Sequence, residues 1–185
     1  LRSVRVIDGA VVVLCGVGGV EPQTETVWKH ADREKLPRLI FVNKLDRLGA
    51  DFERVLEEIG TRLVPNAVLL QLPIGREADF CGVVDLLEER ALVWRDEAGR
   101  PLDDPSVGPV PAAYREAAHA ARERLLDAIC ETDDALLMER LEGRVPGAAV
   151  LRAALRRATL AGQIVPVLCG AARNRIGVQP LLDAI

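Results

Sequence analysis

The sequence predicts an α/β fold in which a parallel sheet is interrupted by an α+β insertion. Three observations carry this. Short, wholly or largely apolar runs at 10–15, 38–42 and 164–168 have the composition of parallel strands buried on both faces. The first two are each followed by a segment whose apolar residues recur at helical spacing. Between residues 66 and 161 the rhythm changes to short strands and then three consecutive amphipathic helices.

The run at 10–15 reads AVVVLC, rich in Val and free of charge. Gly16-Val17-Gly18-Gly19 follows and reads as the turn that leaves a strand and enters a helix. That helix is expected over 24–35, with Pro22 tolerated in the first turn, where an N–H has no intrahelical partner anyway. A second buried strand is expected over 38–42. Asp51 is the expected cap of a further helix, because Phe52, Val55, Leu56, Ile59 and Leu63 recur on one face. Strand, helix, strand, helix at these lengths implies a right-handed parallel layout.

Short strands are then expected at 67–72, 83–86 and 91–94, with a turn at Ala98-Gly99. Residues 103–111 hold Pro105, Gly108, Pro109 and Pro111 and read as a loop. Helices are expected over 112–130, 133–141 and 147–161. Arg152, Arg156 and Arg157 on the last of these read as a solvated face. The strand at 164–168 meets a small-residue turn, Cys169-Gly170-Ala171-Ala172, and a helix begins near Val178-Gln179-Pro180.

Composition narrows the function classes. At 185 residues and 49% hydrophobic, the chain can bury a core as one or two domains. Its longest apolar stretches are too short to span a bilayer, and no signal or transit segment opens it, so a cytoplasmic protein without a membrane partner is expected. A net charge of -4 gives no electrostatic footprint for nucleic acid. Cys15, Cys81, Cys130 and Cys169 are scattered, with no C-x-x-C, and read as small hydrophobes of a reducing compartment. His30 and His119 stand alone, and Ser3 and Ser106 lie in no nucleophile motif. No catalytic residue and no metal ligand is nominated.

The chemistry-bearing motif is Asn43-Lys44-Leu45-Asp46, directly after the strand at 38–42. A carboxylate at Asp46 can accept from both the ring N–H and the exocyclic amine of guanine. Adenine offers no such donor pair and would leave that carboxylate unsatisfied. The Asn43 amide can pair with the base or tie loops together, and the Lys44 stem can lie along the purine face. No G-x-x-x-x-G-K-[ST] phosphate loop accompanies the tetrad.

At this point the chain resembles elongation factor G, the ribosomal translocation GTPase. The likeness rests on Arg5-Val6-Ile7-Asp8-Gly9-Ala10, on the stretch from Gly19 to Trp28, and on Phe41-Val42-Asn43-Lys44-Leu45-Asp46 through Phe52. Gln71-Leu72-Pro73-Ile74-Gly75, Gly82-Val83-Val84-Asp85-Leu86 and the stretch from Val165 to Ala184 add to it. Release-factor and ribosomal-protection relatives share the tetrad but resemble the chain less around Gly49-Ala50-Asp51-Phe52.

The resemblance implies part of a P-loop-type GTPase sheet. Residues 1–65 would be the second half of the GTPase domain, 66–161 the G-prime insertion, and 162–185 the return strand with a second base-contacting loop. It implies guanine contacts from Asn43, Lys44, Asp46, Gly170, Ala171 and Ala172. The family usually has Gly-Ser-Ala where this chain has Gly170-Ala171-Ala172, so one supporting hydroxyl is gone. It also implies a longer parent that hydrolyses GTP with Mg²⁺ on the ribosome. This chain alone is expected to bind GTP or GDP weakly and to be inactive. A ribosomal stalk protein is the partner implied for the insertion, with Ala117, Ala118, Ala121 and Leu125 as the expected surface. The alternatives are a stalk-docking module or a scaffold derived from a related GTPase such as a ribosomal-protection protein.

Overall fold

The computed structural model describes residues 7–96 and 98–185; the Arg5-Val6 end of the first resemblance segment lies outside them. Two four-stranded sheets form. The first runs β1 (Ala10–Cys15), β2 (Arg38–Asn43), β8 (Val165–Cys169), β3 (Ala67–Leu69), with every pair parallel. The second is an antiparallel meander of β4 (Gln71–Ile74), β5 (Gly82–Asp85), β6 (Arg90–Arg95) and β7 (Pro101–Pro109). Thus the α/β class holds, with an insertion between β3 and β8.

Side-chain alternation decides what each strand face buries. On β2, Leu39 and Phe41 join one apolar cluster while Ile40 and Val42 join another. The first cluster also takes the insertion helices α3 (Arg115–Cys130), α4 (Asp134–Leu141) and α5 (Ala148–Leu160). The second takes Trp28 of α1 (Pro22–Arg33), Val55 of α2 (Phe52–Glu58), and Val83, Leu92 and Trp94 of the antiparallel sheet. Each fully buried Leu, Ile or Val contributes about 1.5–3 kcal/mol relative to exposure. The insertion is therefore packed into the core of the parallel sheet rather than hung from its edge.

Four expectations need correction. First, β1 is not buried on both faces. It is an edge strand, and Val11 and Val13 stay exposed while Leu14 is buried. Second, the strand expected at 67–72 is two strands. Ala67–Leu69 pairs with β8 in the parallel sheet, and after Leu70 the chain enters the antiparallel sheet. Third, 103–111 is not a loop: β7 covers 101–109 and pairs with β6. Its prolines lack ladder donors, which an edge strand tolerates. Fourth, the segment after Asp51 is not one regular helix. Asp51 does cap it, accepting from Arg54 N–H at 3.0 Å, but Ile59–Leu63 widens into a π turn.

The surface expected to dock a partner is also corrected. Ala118, Ala121 and Leu125 lie inside the first cluster, and only Ala117 of the four is exposed. On α3 these small residues let the helix approach its neighbours; they are packing, not an open face. The α5 arginines are solvated as expected, with Arg152 pairing to Glu88 and Arg157 to Asp133. No helix among the described residues is long and apolar enough to cross a membrane.

Candidate functional site

Strands β2 and β8 are parallel neighbours in register, with Val42 opposite Cys169. Their C-terminal ends therefore open on the same crevice, where open α/β sheets bind ligands. Residues 43–46 leave one strand and 170–172 the other. Gly170 N–H donates to Val42 O at 2.9 Å, and Leu45 N–H donates to Gly170 O at 3.2 Å. The Asn43 side-chain oxygen accepts from its neighbour Lys44 N–H at 2.8 Å and from Ala172 N–H at 2.9 Å. One side chain thus ties together loops that are 129 residues apart in sequence.

A third loop locks on from the other side. Gly16 N–H donates to Asn43 O at 2.8 Å, and Asp51 N–H donates to Gly16 O at 3.0 Å. Leu45 is the buried peg of the tetrad; a Cβ on Gly16 would come within 2.8 Å of it. Around that peg Lys44 is exposed, in the left-handed region with φ 65°, and Asp46 is half-buried. The Asp46 carboxylate accepts from Asn174 Nδ2 at 2.8 Å.

All six residues nominated from sequence meet at this one end of the sheet. Ala171 is buried, so its methyl faces inward, where the expected hydroxyl would have sat. The Ala172 N–H is bonded to Asn43 here. Four residues went unnominated: Asn174, Arg54, Glu58 and Gln71, the last with a buried side chain that accepts from Cys169 N–H at 3.2 Å. A Gln in an apolar run was the one available signal for the last; the others carry none.

The model of the elongation factor Tu GTP binding domain matches residues 1–185. The chain belongs to that family. A crystal structure of a Thermus thermophilus protein resembles it with a TM-score of 0.85 at 30% identity, covering 98% of this chain and 26% of that one. The chain therefore spans about a quarter of that relative. Guanine-nucleotide binding is the property of that family, whose GTP binding domain this chain matches from end to end.

In this member of the family the loop after β1 is held by charge as well as packing. Glu58 Oε2 accepts from Val20 N–H at 2.7 Å, and Arg54 bridges Glu58 to Val17 O at 2.7 Å. Gly19 sits at φ 65°, where a Cβ would strike the Glu58 carboxylate. The Val20 N–H, with Arg54 and Arg62, holds the Glu58 carboxyl below the usual carboxylate range against the opposing pull of burial. A depressed folded value means the stabilisation is complete above the unfolded value and is lost as pH falls through the folded one. Glu58→Gln should therefore cost about 1 kcal/mol at pH 7 and flatten the acid side of a stability profile. Urea midpoints between about pH 3 and pH 7, the window in which carboxylates titrate, check this; parallel profiles for the two proteins would refute it.

The cysteines of the domain are all free, but only Cys130 and Cys169 are buried. Burial pushes the Cys169 thiol far up. At the end of β1, burial of Cys15 is outweighed by backbone N–H groups of Gly18 and Val17 and by Lys44 and Arg47, which lower its pKa. No group of His, Cys, Asp or Glu among the described residues could hold a metal ion.

Proposed function

We propose that this chain is the base-recognition portion of an elongation factor G-type translocation GTPase, together with its insertion subdomain. The observation that supports it most is Asn43 holding Ala172 while Asp46 stays half-buried beside Asn174. That arrangement offers what the donor edge of guanine needs: a carboxylate with acceptor capacity to spare, and an exposed Lys44 stem beside it. Gly170, Ala171 and Ala172 form the second loop, where Gly170 lets the chain pass within reach of Ile176 O and the Phe41 ring.

The phosphate cradle, magnesium and the attacking water belong, in this reading, to a longer parent. The sequence has no phosphate loop, and the described residues offer no ligand set for a metal. The parent would hydrolyse GTP in the cytoplasm to drive tRNA and mRNA through the ribosome. The insertion would meet a ribosomal partner such as the stalk protein, by a surface other than the buried side of α3.

Titration of the ¹⁵N-labelled chain with GDP tests the reading. Amides of 43–46 and 170–174 should shift with GDP and not with ADP, at a dissociation constant weaker than the low micromolar range, because the phosphate cradle normally supplies much of the hold. Shifts elsewhere, or equal response to ADP, would sink the assignment of the base site. Micromolar or tighter binding would show that the phosphates are held without the missing loop.

A further inference from the structure

The side chain of Asn174 carries an inference that the tetrad alone does not. Asn174 Nδ2 donates to Asp46 Oδ2 at 2.8 Å, across 128 residues of sequence. No other side chain among the described residues bonds to that carboxylate. An Asp carboxylate turns readily about its last torsion, whose energy profile is broad and two-fold. A partly exposed one with a single donor takes its orientation from that donor.

The donor is itself held. Residues 171–176 close on themselves, with Ala171 N–H donating to Ile176 O at 3.0 Å and Ile176 N–H to Ala171 O at 3.2 Å. Inside this loop Asn174 N–H donates to Ala171 O at 2.9 Å, and Arg175 turns the chain at φ 59°. From outside, Asp103 of β7 grips the tip: Arg175 Nη1 reaches Asp103 Oδ1 at 2.6 Å, and Gln179 Nε2 donates to Asp103 O at 3.1 Å. The loop is thus fixed at its base by the sheet and at its tip by the insertion.

We infer that Asn174 is a positioning residue for base discrimination. Its amide holds the Asp46 carboxylate in the plane that offers a base the whole of Oδ1 and the remaining lone pair of Oδ2. Guanine needs both oxygens, one for its ring N–H and one for its exocyclic amine. Hypoxanthine, which lacks the amine, needs only one. The ratio of guanine to hypoxanthine affinity therefore reports the carboxylate plane, whereas a merely structural role would weaken both bases alike. Preorganisation of a recognition group by a neighbouring hydrogen bond is the general means by which sites reach their selectivity.

This inference rests on the base-recognition reading above. The test is titration of the labelled full chain with GDP and with inosine diphosphate, followed at the amides of Lys44, Asp46 and Ala172. The variants are Asn174→Ala, which removes the donor, and Asn174→Asp, which keeps the shape and replaces the donor with a repelling carboxylate. Asn174 is exposed, so both should keep the fold, which their spectra will show. Asn174→Ala should lower the GDP-to-inosine-diphosphate affinity ratio about threefold to tenfold, the size of one hydrogen bond, and Asn174→Asp should lower it further. An unchanged ratio would overturn the inference. So would tighter GDP binding by Asn174→Ala, which would mean the amide competes with the base. A wild-type chain that does not distinguish the two nucleotides would instead overturn the base-recognition reading, and this inference with it.

Discussion

Changing Asp46→Asn should reverse the base preference of the completed nucleotide site. The substitution exchanges one acceptor oxygen for an amide donor. Guanine's ring N–H and exocyclic amine then lose a charge-assisted pair of bonds, while xanthine, with a carbonyl in place of the amine, gains a partner. Asn174 sharpens the expectation. Its amide donates to one oxygen of residue 46, so an Asn there will keep its oxygen toward Asn174 and present its new donor to the base. Loss of a charged hydrogen-bond partner costs about 1.5–3 kcal/mol, or about tenfold to more than a hundredfold in affinity. Competition between GTP and xanthosine triphosphate in a protein that also carries the phosphate loop measures it. The fold should hardly respond, because Asp46 is only half-buried and the one hydrogen bond to its carboxylate, from Asn174, is exposed. A GTP-to-xanthosine-triphosphate ratio unmoved by the change would remove Asp46 from the site.

The largest loss of stability in this region is expected from Gly177→Ala. Gly177 adopts φ 78°, and a Cβ there would lie 2.4 Å from Cys169 O and 3.1 Å from Gly170 Cα. Both neighbours are backbone, so neither can swing away. A left-handed conformation costs an L-residue about 1–2 kcal/mol, and overpacking adds about 1–3 kcal/mol. Together about 2–5 kcal/mol is a large share of the stability of a domain this size. A fall in melting temperature of about 4–20 °C follows. The loop that leads to Ala172 and Asn174 should be displaced as well, so base selectivity should fall with stability. By contrast, alanine at Gly162, also left-handed but with open space around it, should show only the conformational part. Calorimetry on the two variants separates strain from collision; equal losses would show that the contact at Gly177 relaxes.

How much of this was legible beforehand depended on whether the signal was local. The strands at 10–15 and 38–42, the cap at Asp51 and the three helices after 112 follow from apolar period, turn residues and capping chemistry, all set within a few residues. The antiparallel strand β7 was hidden because its three prolines, Pro101, Pro105 and Pro109, imitate a loop, and only its edge position makes them harmless. The break at Leu70 was hidden because an apolar run looks the same whether it serves one sheet or two. Burial of Ala118 and Ala121 was equally unreadable, since a helix of small residues packs or docks by what stands opposite it.

Residue type and spacing were enough to specify the tetrad and the alternation of parallel strands and helices, because they encode backbone conformation and hydrogen-bonding capacity directly; the second loop read as a small-residue turn, and only the resemblance to elongation factor G gave it a role. Which groups meet was settled in three dimensions. Asn43 reaches Ala172, Asn174 reaches Asp46 and Asp103 reaches Arg175 because β2 and β8 lie side by side and the insertion folds back against both. Contacts across 72 residues of chain or more depend on strand order and on how the two sheets pack, and no local pattern specifies either.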